Sequence, residues 1–245
     1  MRVCLIPLKT EIRNLAANFH HLCEKLETAS EHKPDLIGLP ECTLTGYLYE
    51  NEDFERFAEP IPGRTTQLLA ELARRYHVYL CFGLLERTVT GVYNAAVLMD
   101  KAGNIIHKHR KIIEQPPFLN GDTVASVETE FGKLAILICG DLFHKEVVTS
   151  LDHPLQLLIV PIARSFDGRS PDPARWMREE RQAYLNAVKM AGHPTVLINA
   201  LEMGTTEPSF GGAMVVRPNG ELLAEAPHGT DEILIYNFDK ESLYP

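Results

Sequence analysis

Short, continuously apolar runs, separated by segments of helical period, constrain this chain more than any other feature. Asp35-Leu36-Ile37-Gly38-Leu39-Pro40, Lys133–Cys139 and Leu155–Val160 have strand length and carry hydrophobic residues without alternation, the pattern of strands covered on both faces. Between and around them, Ile12, Leu15, Ala16, Phe19, Leu22, Cys23 and Leu26 recur at steps of three and four. So do Leu68, Leu69, Leu72, Ala73 and Tyr76, and later Trp176, Glu180, Ala183, Tyr184, Ala187, Val188 and Ala191. A further helix is expected near Lys145–Leu151, and further strands over 2–8, 78–84, 94–100, 105–109, 195–200, 212–217, 221–225 and 232–238. Lys101-Ala102-Gly103-Asn104 and Pro218-Asn219-Gly220 read as turns. Buried strands interleaved with amphipathic helices predict a layered α/β architecture with sheets inside. No linker, low-complexity tract or internal sequence repeat divides the chain, so a single domain over 1–245 is expected. In such folds ligands gather at the carboxyl ends of strands.

Charge narrows the partners. A formal net charge of -9 opposes any role that depends on neutralising phosphates, so no nucleic acid is expected. The one basic run, His107-Lys108-His109-Arg110-Lys111, lies in an extended stretch where alternate side chains face opposite ways. The longest apolar runs, Leu134–Cys139 and Leu157–Ala163, are far shorter than a membrane span, and the N-terminus has no secretory pattern, so no membrane association is expected. Five cysteines, none in a Cys-x-x-Cys pair, fit reduced thiols in a cytoplasmic protein.

Three places combine reactive residue types with strand ends. Cys139, in Leu137-Ile138-Cys139-Gly140-Asp141-Leu142-Phe143, reads either as an inert core thiol or as a nucleophile on a tight turn; a nucleophile needs a base or cation nearby, and the small Gly140 would let a substrate approach the backbone. Glu41 follows an apolar strand in Leu39-Pro40-Glu41-Cys42-Thr43-Leu44-Thr45-Gly46-Tyr47. Lys111 and Glu114 end the strand His109-Arg110-Lys111-Ile112-Ile113-Glu114. Taken singly, the last two read as solvated charges. Cys42 is a rival thiol with no cation placed beside it, and His107 and His109 share a strand face without a third ligand at a defined spacing, so no metal is expected. A serine-hydrolase elbow and a phosphate-binding glycine loop are both missing.

Together these segments resemble the nitrilase superfamily, whose members hydrolyse nitriles, amides and carbamoyl amines. Pro40-Glu41 with Gly46-Tyr47, His109-Arg110-Lys111 and Ile138-Cys139-Gly140-Asp141 match the family's glutamate, lysine and cysteine motifs in the family's order. Glu114-Gln115-Pro116-Pro117-Phe118-Leu119-Asn120-Gly121 matches its second glutamate, although only two residues separate Glu114 from Lys111, a shorter loop than is usual. Pro161, the segment Arg181–Asn186 and the run from Phe210 to Gly220 resemble later landmarks, with Leu185 standing where a glutamate is usual and Gly140 replacing a larger residue.

The resemblance implies a four-layer α-β-β-α sandwich, helices outside two mixed sheets, usually paired into homodimers. It implies a cofactor-free hydrolase acting on a small amide-like substrate and water. Cys139 would be the nucleophile, Glu41 the base, Lys111 the oxyanion stabiliser with the backbone N–H after Cys139, and Glu114 an orienting carboxylate. Tyr47, Gly140 and Leu142 would touch substrate. Simple amides rank ahead of N-carbamoyl compounds and nitriles; a non-catalytic protein of the same fold and an amine-dependent transferase are the rivals. Relatives that bind carboxylate-bearing substrates often carry arginine shortly after the cysteine, where this chain has Leu142 and Phe143. A neutral substrate group there, or an anion held elsewhere, such as by Arg164, is the expectation.

Overall fold

The sheets are built from strands whose alternate side chains serve two different cores, which is why their sequences read as unbroken apolar runs. A computed structural model of the chain describes residues 1–165 and 173–239. In chain order the strands are β1 (Arg2–Leu5), β2 (Lys9–Glu11), β3 (Leu36–Gly38), β4 (Tyr79–Arg87), β5 (Val92–Met99), β6 (Ile105–Arg110), β7 (Ser126–Thr129), β8 (Gly132–Ile136), β9 (Leu157–Ile162), β10 (Thr195–Asn199), β11 (Leu201–Met203), β12 (Ala213–Val216), β13 (Leu222–Ala226) and β14 (Leu234–Asn237). The helices are α1 (Leu15–Ser30), α2 (Asn51–Phe57), α3 (Arg64–Tyr76), α4 (Lys145–Val148), α5 (Pro173–Arg175) and α6 (Arg181–Ala191), with a tight helical turn at Cys139–Phe143 and a wide one at Trp176–Glu180 leading into α6.

Two six-stranded mixed sheets form, in the orders β14-β1-β3-β4-β5-β6 and β13-β12-β10-β9-β8-β7. Each has three parallel central strands, β1, β3 and β4 in one and β8, β9 and β10 in the other, extended by one antiparallel strand on one side and two on the other. The two sheets therefore share one pattern of strand directions, although the edge strand β14 of the first follows β13 of the second in the chain.

Side-chain alternation sorts the core into layers. Val3, Leu36, Cys81 and Leu98 from the first sheet meet Ile136, Ile159, Val196 and Val215 from the second. Their strand neighbours Cys4, Ile37, Phe82 and Val97 point the other way, against Leu22, Leu26, Leu69 and Ala73 of α1 and α3. On the far side, Leu158, Leu197 and Met214 pack under Val148 of α4 and Tyr184 and Val188 of α6. The order helix, sheet, sheet, helix is the expected α-β-β-α sandwich.

Three elements escaped the periodicity. The edge strand β7 is short and only half-buried, and α2 is a seven-residue helix over a secondary cluster around Phe54 and Phe118. The third is a two-stranded parallel ribbon of β2 and β11. Since β2 follows β1 of the first sheet and β11 follows β10 of the second, this ribbon ties the sheets together beyond the ends of their parallel strands.

Candidate active site

Glu41 stands three residues past the end of β3, in a turn that passes close to β4. A side chain at Gly83 would come within 2.7 Å of the Glu41 Cα and the Cys42 nitrogen, so only glycine lets the turn lie against that strand. Gly83 donates to the Pro40 carbonyl at 3.1 Å and accepts from the Thr43 amide at 3.0 Å. Cys42 takes the left-handed conformation, φ 49°, to reverse the chain. The outcome is a glutamate 1% exposed and aimed into the protein.

Lys111 follows β6 and is 6% exposed. Its Nζ lies 3.2 Å from Glu41 Oε1 and 2.7 Å from Glu114 Oε2, so the short loop between Lys111 and Glu114 is long enough to close an ion pair. Asn94, inside β5, donates Nδ2 to Glu41 Oε1 at 2.5 Å and to Glu114 Oε2 at 2.9 Å, and the Tyr47 hydroxyl donates to Glu114 Oε1 at 2.9 Å. The Tyr47 ring also lies under the ammonium, 5.5 Å from centroid to Nζ. Glu41 Oε2 is buried and has no hydrogen-bond partner among the described residues. An unpaired buried carboxylate oxygen is costly, and it is a ready acceptor for a proton.

Cys139 comes from the second sheet. It lies three residues beyond the end of β8, not within the strand as the apolar run suggested, and opens the tight turn at φ 47°, a strained value for a residue with a side chain. The thiol is within electrostatic reach of Glu41 and Lys111 and receives a hydrogen bond from the Ala163 amide just after β9. A side chain on Gly140 would meet Lys111 Cε at 4.0 Å, so the residue after the thiol lies next to the lysine side chain.

Asp141 holds the two halves in register. Fully buried, its carboxylate accepts from the Ile112 and Ile113 amides at 2.9 Å each, from the Ile138 amide at 3.2 Å, and pairs with His109 Nε2 at 2.8 Å. It thereby fastens the turn of Cys139 to the segment that carries Lys111. Asp141→Asn sets an NH2 group against backbone donors; it is expected to cost about 3 kcal/mol in denaturant unfolding, since each unsatisfied buried donor costs about 1–3 kcal/mol.

Electrostatics follow from burial. Burial pushes the Cys139 thiol up to about 12; the charge of Glu41 adds to this, while Lys111 and the Ala163 amide pull the other way. Burial likewise raises Glu41 above the ordinary carboxylate value despite the adjacent ammonium. For Lys111 burial opposes the charge, but Glu41 and its neighbours outweigh it and keep the ammonium protonated. At neutral pH this raised value favours the protonated thiol.

Several expectations change. Leu142, expected to touch substrate, is instead fully buried in the cluster under α4 and α6, while Phe143 is 42% exposed and packs edge-on to Tyr184. Tyr47, expected to touch substrate, spends its hydroxyl on Glu114. Arg164 is engaged by Glu180 through two hydrogen bonds of 3.2 and 2.9 Å. His109 is a buried partner of Asp141. Cys42 is 0% exposed, and burial together with Glu41 raises its thiol far above the usual value, an inert environment. In the basic run, Lys108 and Arg110 share Glu86 while His109 faces inward, the alternation expected of a strand. No group of three or more metal-ligating side chains occurs among the described residues.

Comparison with known proteins gives concordant results. The carbon-nitrogen hydrolase family model matches residues 2–245. Omega-amidase NIT2 of Homo sapiens is 27% identical over 252 residues, covering 96% of this chain and 87% of that protein. Omega-amidase NIT3 of Saccharomyces cerevisiae is 25% identical, covering 98% and 88%. The crystal structure of Saccharomyces cerevisiae Nit3, a member of branch 10 of the nitrilase superfamily, superposes with a TM-score of 0.83 at 22% identity over 99% of this chain and 91% of that one. An amidase from Nesterenkonia sp. superposes at 0.75 with 21% identity over 96% and 89%.

Proposed function

The chain belongs to the carbon-nitrogen hydrolase family, and on that premise we propose that it is an amidase that cleaves a small linear amide through a thioester on Cys139. The observation that carries this reading is the Glu41 carboxylate, with one oxygen paired to Lys111 and the other left without a partner, beside the turn of Cys139. Glu41 accepts the thiol proton as sulfur bonds to the amide carbon; the carbonyl π electrons move to oxygen, where Lys111 and the Gly140 amide balance the charge. Collapse breaks the C–N bond, Glu41 returns the proton to nitrogen, and ammonia leaves. Water then attacks the thioester, Glu41 takes its proton, the C–S bond breaks, and the carboxylic acid departs as the thiol is reprotonated. Glu114, held by Tyr47, Asn94 and Lys111, keeps the ammonium facing the reacting carbon.

Phe143 and Tyr184 make an aromatic wall beyond the thiol, and Arg164 is already charge-compensated by Glu180, which favours a neutral acyl group over an anionic one. The test is ammonia release across a panel of neutral amides, carboxylate-bearing amides, carbamoyl amino acids and nitriles. Turnover of neutral amides ahead of the others supports the reading; no turnover of any amide overturns it.

The pH dependence has a definite sign. Glu41 is a base only when ionised, and burial raises its pKa above the usual carboxylate value, so activity is lost as pH falls through that raised value. The acid limb of kcat against pH is expected above the range of an exposed glutamate. We also infer a homodimer in a reducing, cytoplasmic setting. Five unpaired cysteines and the exposed Met177 and Met190 support it, and sedimentation tests the dimer.

A further inference from the structure

Glu202 is a buried carboxylate that the proposed chemistry does not use. It lies in the middle of β11, 3% exposed, paired in the ribbon with Thr10 of β2. One oxygen, Oε1, accepts from the Tyr47 amide at 2.6 Å; the other, Oε2, accepts from the Ser209 amide at 3.1 Å and the Ser209 hydroxyl at 2.7 Å. Three donors from two stretches of chain, Tyr47 and Ser209, converge on one acidic group. Gly46, just before Tyr47, takes φ 71°, a left-handed value that favours glycine, and an added side chain would collide with Ile12 and lie 3.3 Å from Glu202 Oε1.

The segment anchored in this way is the one whose ring reaches the reactive cluster. Tyr47 has two contacts there, its hydroxyl on Glu114 and its face under the Lys111 ammonium. Burial raises the phenol pKa well above the usual value, so the hydroxyl stays a donor. Its backbone is fixed by the Glu202 carboxylate, and the ribbon that carries Glu202 is itself pinned by Leu201 donating to the Leu8 carbonyl and Ile12 donating to the Met203 carbonyl.

We propose that Glu202 is a positioning residue of the amide-cleaving site: its buried carboxylate grips the Tyr47 amide and the Ser209 loop together, and so fixes the ring that aims Glu114 at Lys111. The inference rests on the amidase reading only for its assay. Glutamine is not a neutral replacement, because every group facing the carboxylate is a donor on the backbone or a serine hydroxyl, and an NH2 must oppose at least one amide N–H.

A double-mutant cycle of Glu202→Gln and Tyr47→Phe tests it, with thermal unfolding recorded for each variant. Two readouts are used: kcat and KM for an amide, and the rate at which iodoacetamide alkylates Cys139, which needs no substrate. Each single variant is expected to lower kcat about tenfold with KM changed less than threefold, and the double variant to lose no more than about tenfold, because both changes act through the same Tyr47 hydroxyl contact with Glu114. Multiplied losses of about a hundredfold in the double variant, or an unchanged kcat in a folded Glu202→Gln protein, would overturn the proposal. If Glu202→Gln does not fold, Ser209→Ala replaces it in the same cycle under the same criteria, with a smaller expected loss of about threefold. Absence of amide turnover in the unmodified protein defeats the amidase reading alone. The alkylation rates then decide the positioning role by the same non-additivity.

Discussion

Replacing Cys139 with alanine is expected to lower ammonia release on the order of a million-fold, the scale seen when a covalent nucleophile is removed, while the fold persists. The size follows from the division of labour. With no sulfur there is no thioester, and Lys111 and Glu41 would be left to direct water at an amide, an attack for which the site has no placed nucleophile. Stability should fall little, because the residue adopts a left-handed backbone that alanine tolerates no worse than cysteine and its side chain is only half-buried. The check is a fixed-time ammonia assay beside thermal unfolding of both proteins. Residual turnover within a hundredfold of the parent would show that another group attacks the amide.

Lys111→Ala is the second large effect. Loss of one preorganised donor to a developing oxyanion is worth about 3 kcal/mol, so kcat is expected to fall on the order of a hundredfold or more. The same change strips the counter-ion from Glu41 and Glu114, both within 3.2 Å of the ammonium. Breaking a buried ion pair from one side costs about 3–5 kcal/mol at neutral pH. Here the sign of the pH dependence is informative. Burial already raises Glu41, and without the ammonium its folded pKa rises further above the unfolded one. A carboxyl group shifted in that direction imposes no penalty where both states are protonated and a growing penalty as pH rises from the unfolded to the folded pKa. The variant should therefore be closest to the parent in stability at acidic pH and furthest from it at alkaline pH, as measured by denaturant midpoints across that range.

Glu41 and Cys139 were legible in the sequence because each follows a short apolar run, and Lys111 and Glu114 only through their match to the family's motifs, since the strand before them reads Ile-Ile-His-Lys-His-Arg. Their supports were not. Asn94 lies within the run Val92–Met99, and one amide in a buried strand reads as noise until its two carboxylate partners are seen. Its signal was that very isolation, since a polar side chain in such a strand needs a bonding reason. Asp141 was noticed as a motif letter, but its function depends on the Ile112 and Ile113 amides, some thirty residues away, which no local pattern reveals. Glu202 was hidden for a related reason: β11 is three residues long, too short for a period to show, and exists only because β2 lies alongside it. Conversely, Leu142 was misread because adjacency to Cys139 suggested proximity to substrate, whereas a tight helical turn sends neighbouring side chains to different sides. The layered fold itself was recoverable from strand and helix periods, and the matching strand order of the two sheets was not, since it rests on pairings between residues far apart in the chain.

Glu41, Asn94 and Lys111 hang from the first sheet, while Cys139 and the Ala163 amide hang from the second. Neither leaf carries a complete reagent, so a chain whose strands have formed but whose faces have not met holds an idle thiol on one side and an idle base on the other. The seam is tight where they join: a methyl at Gly38 would press within 3.1 Å of Ile198 from the opposing leaf. The proposed site is therefore complete only when the two leaves are packed face to face.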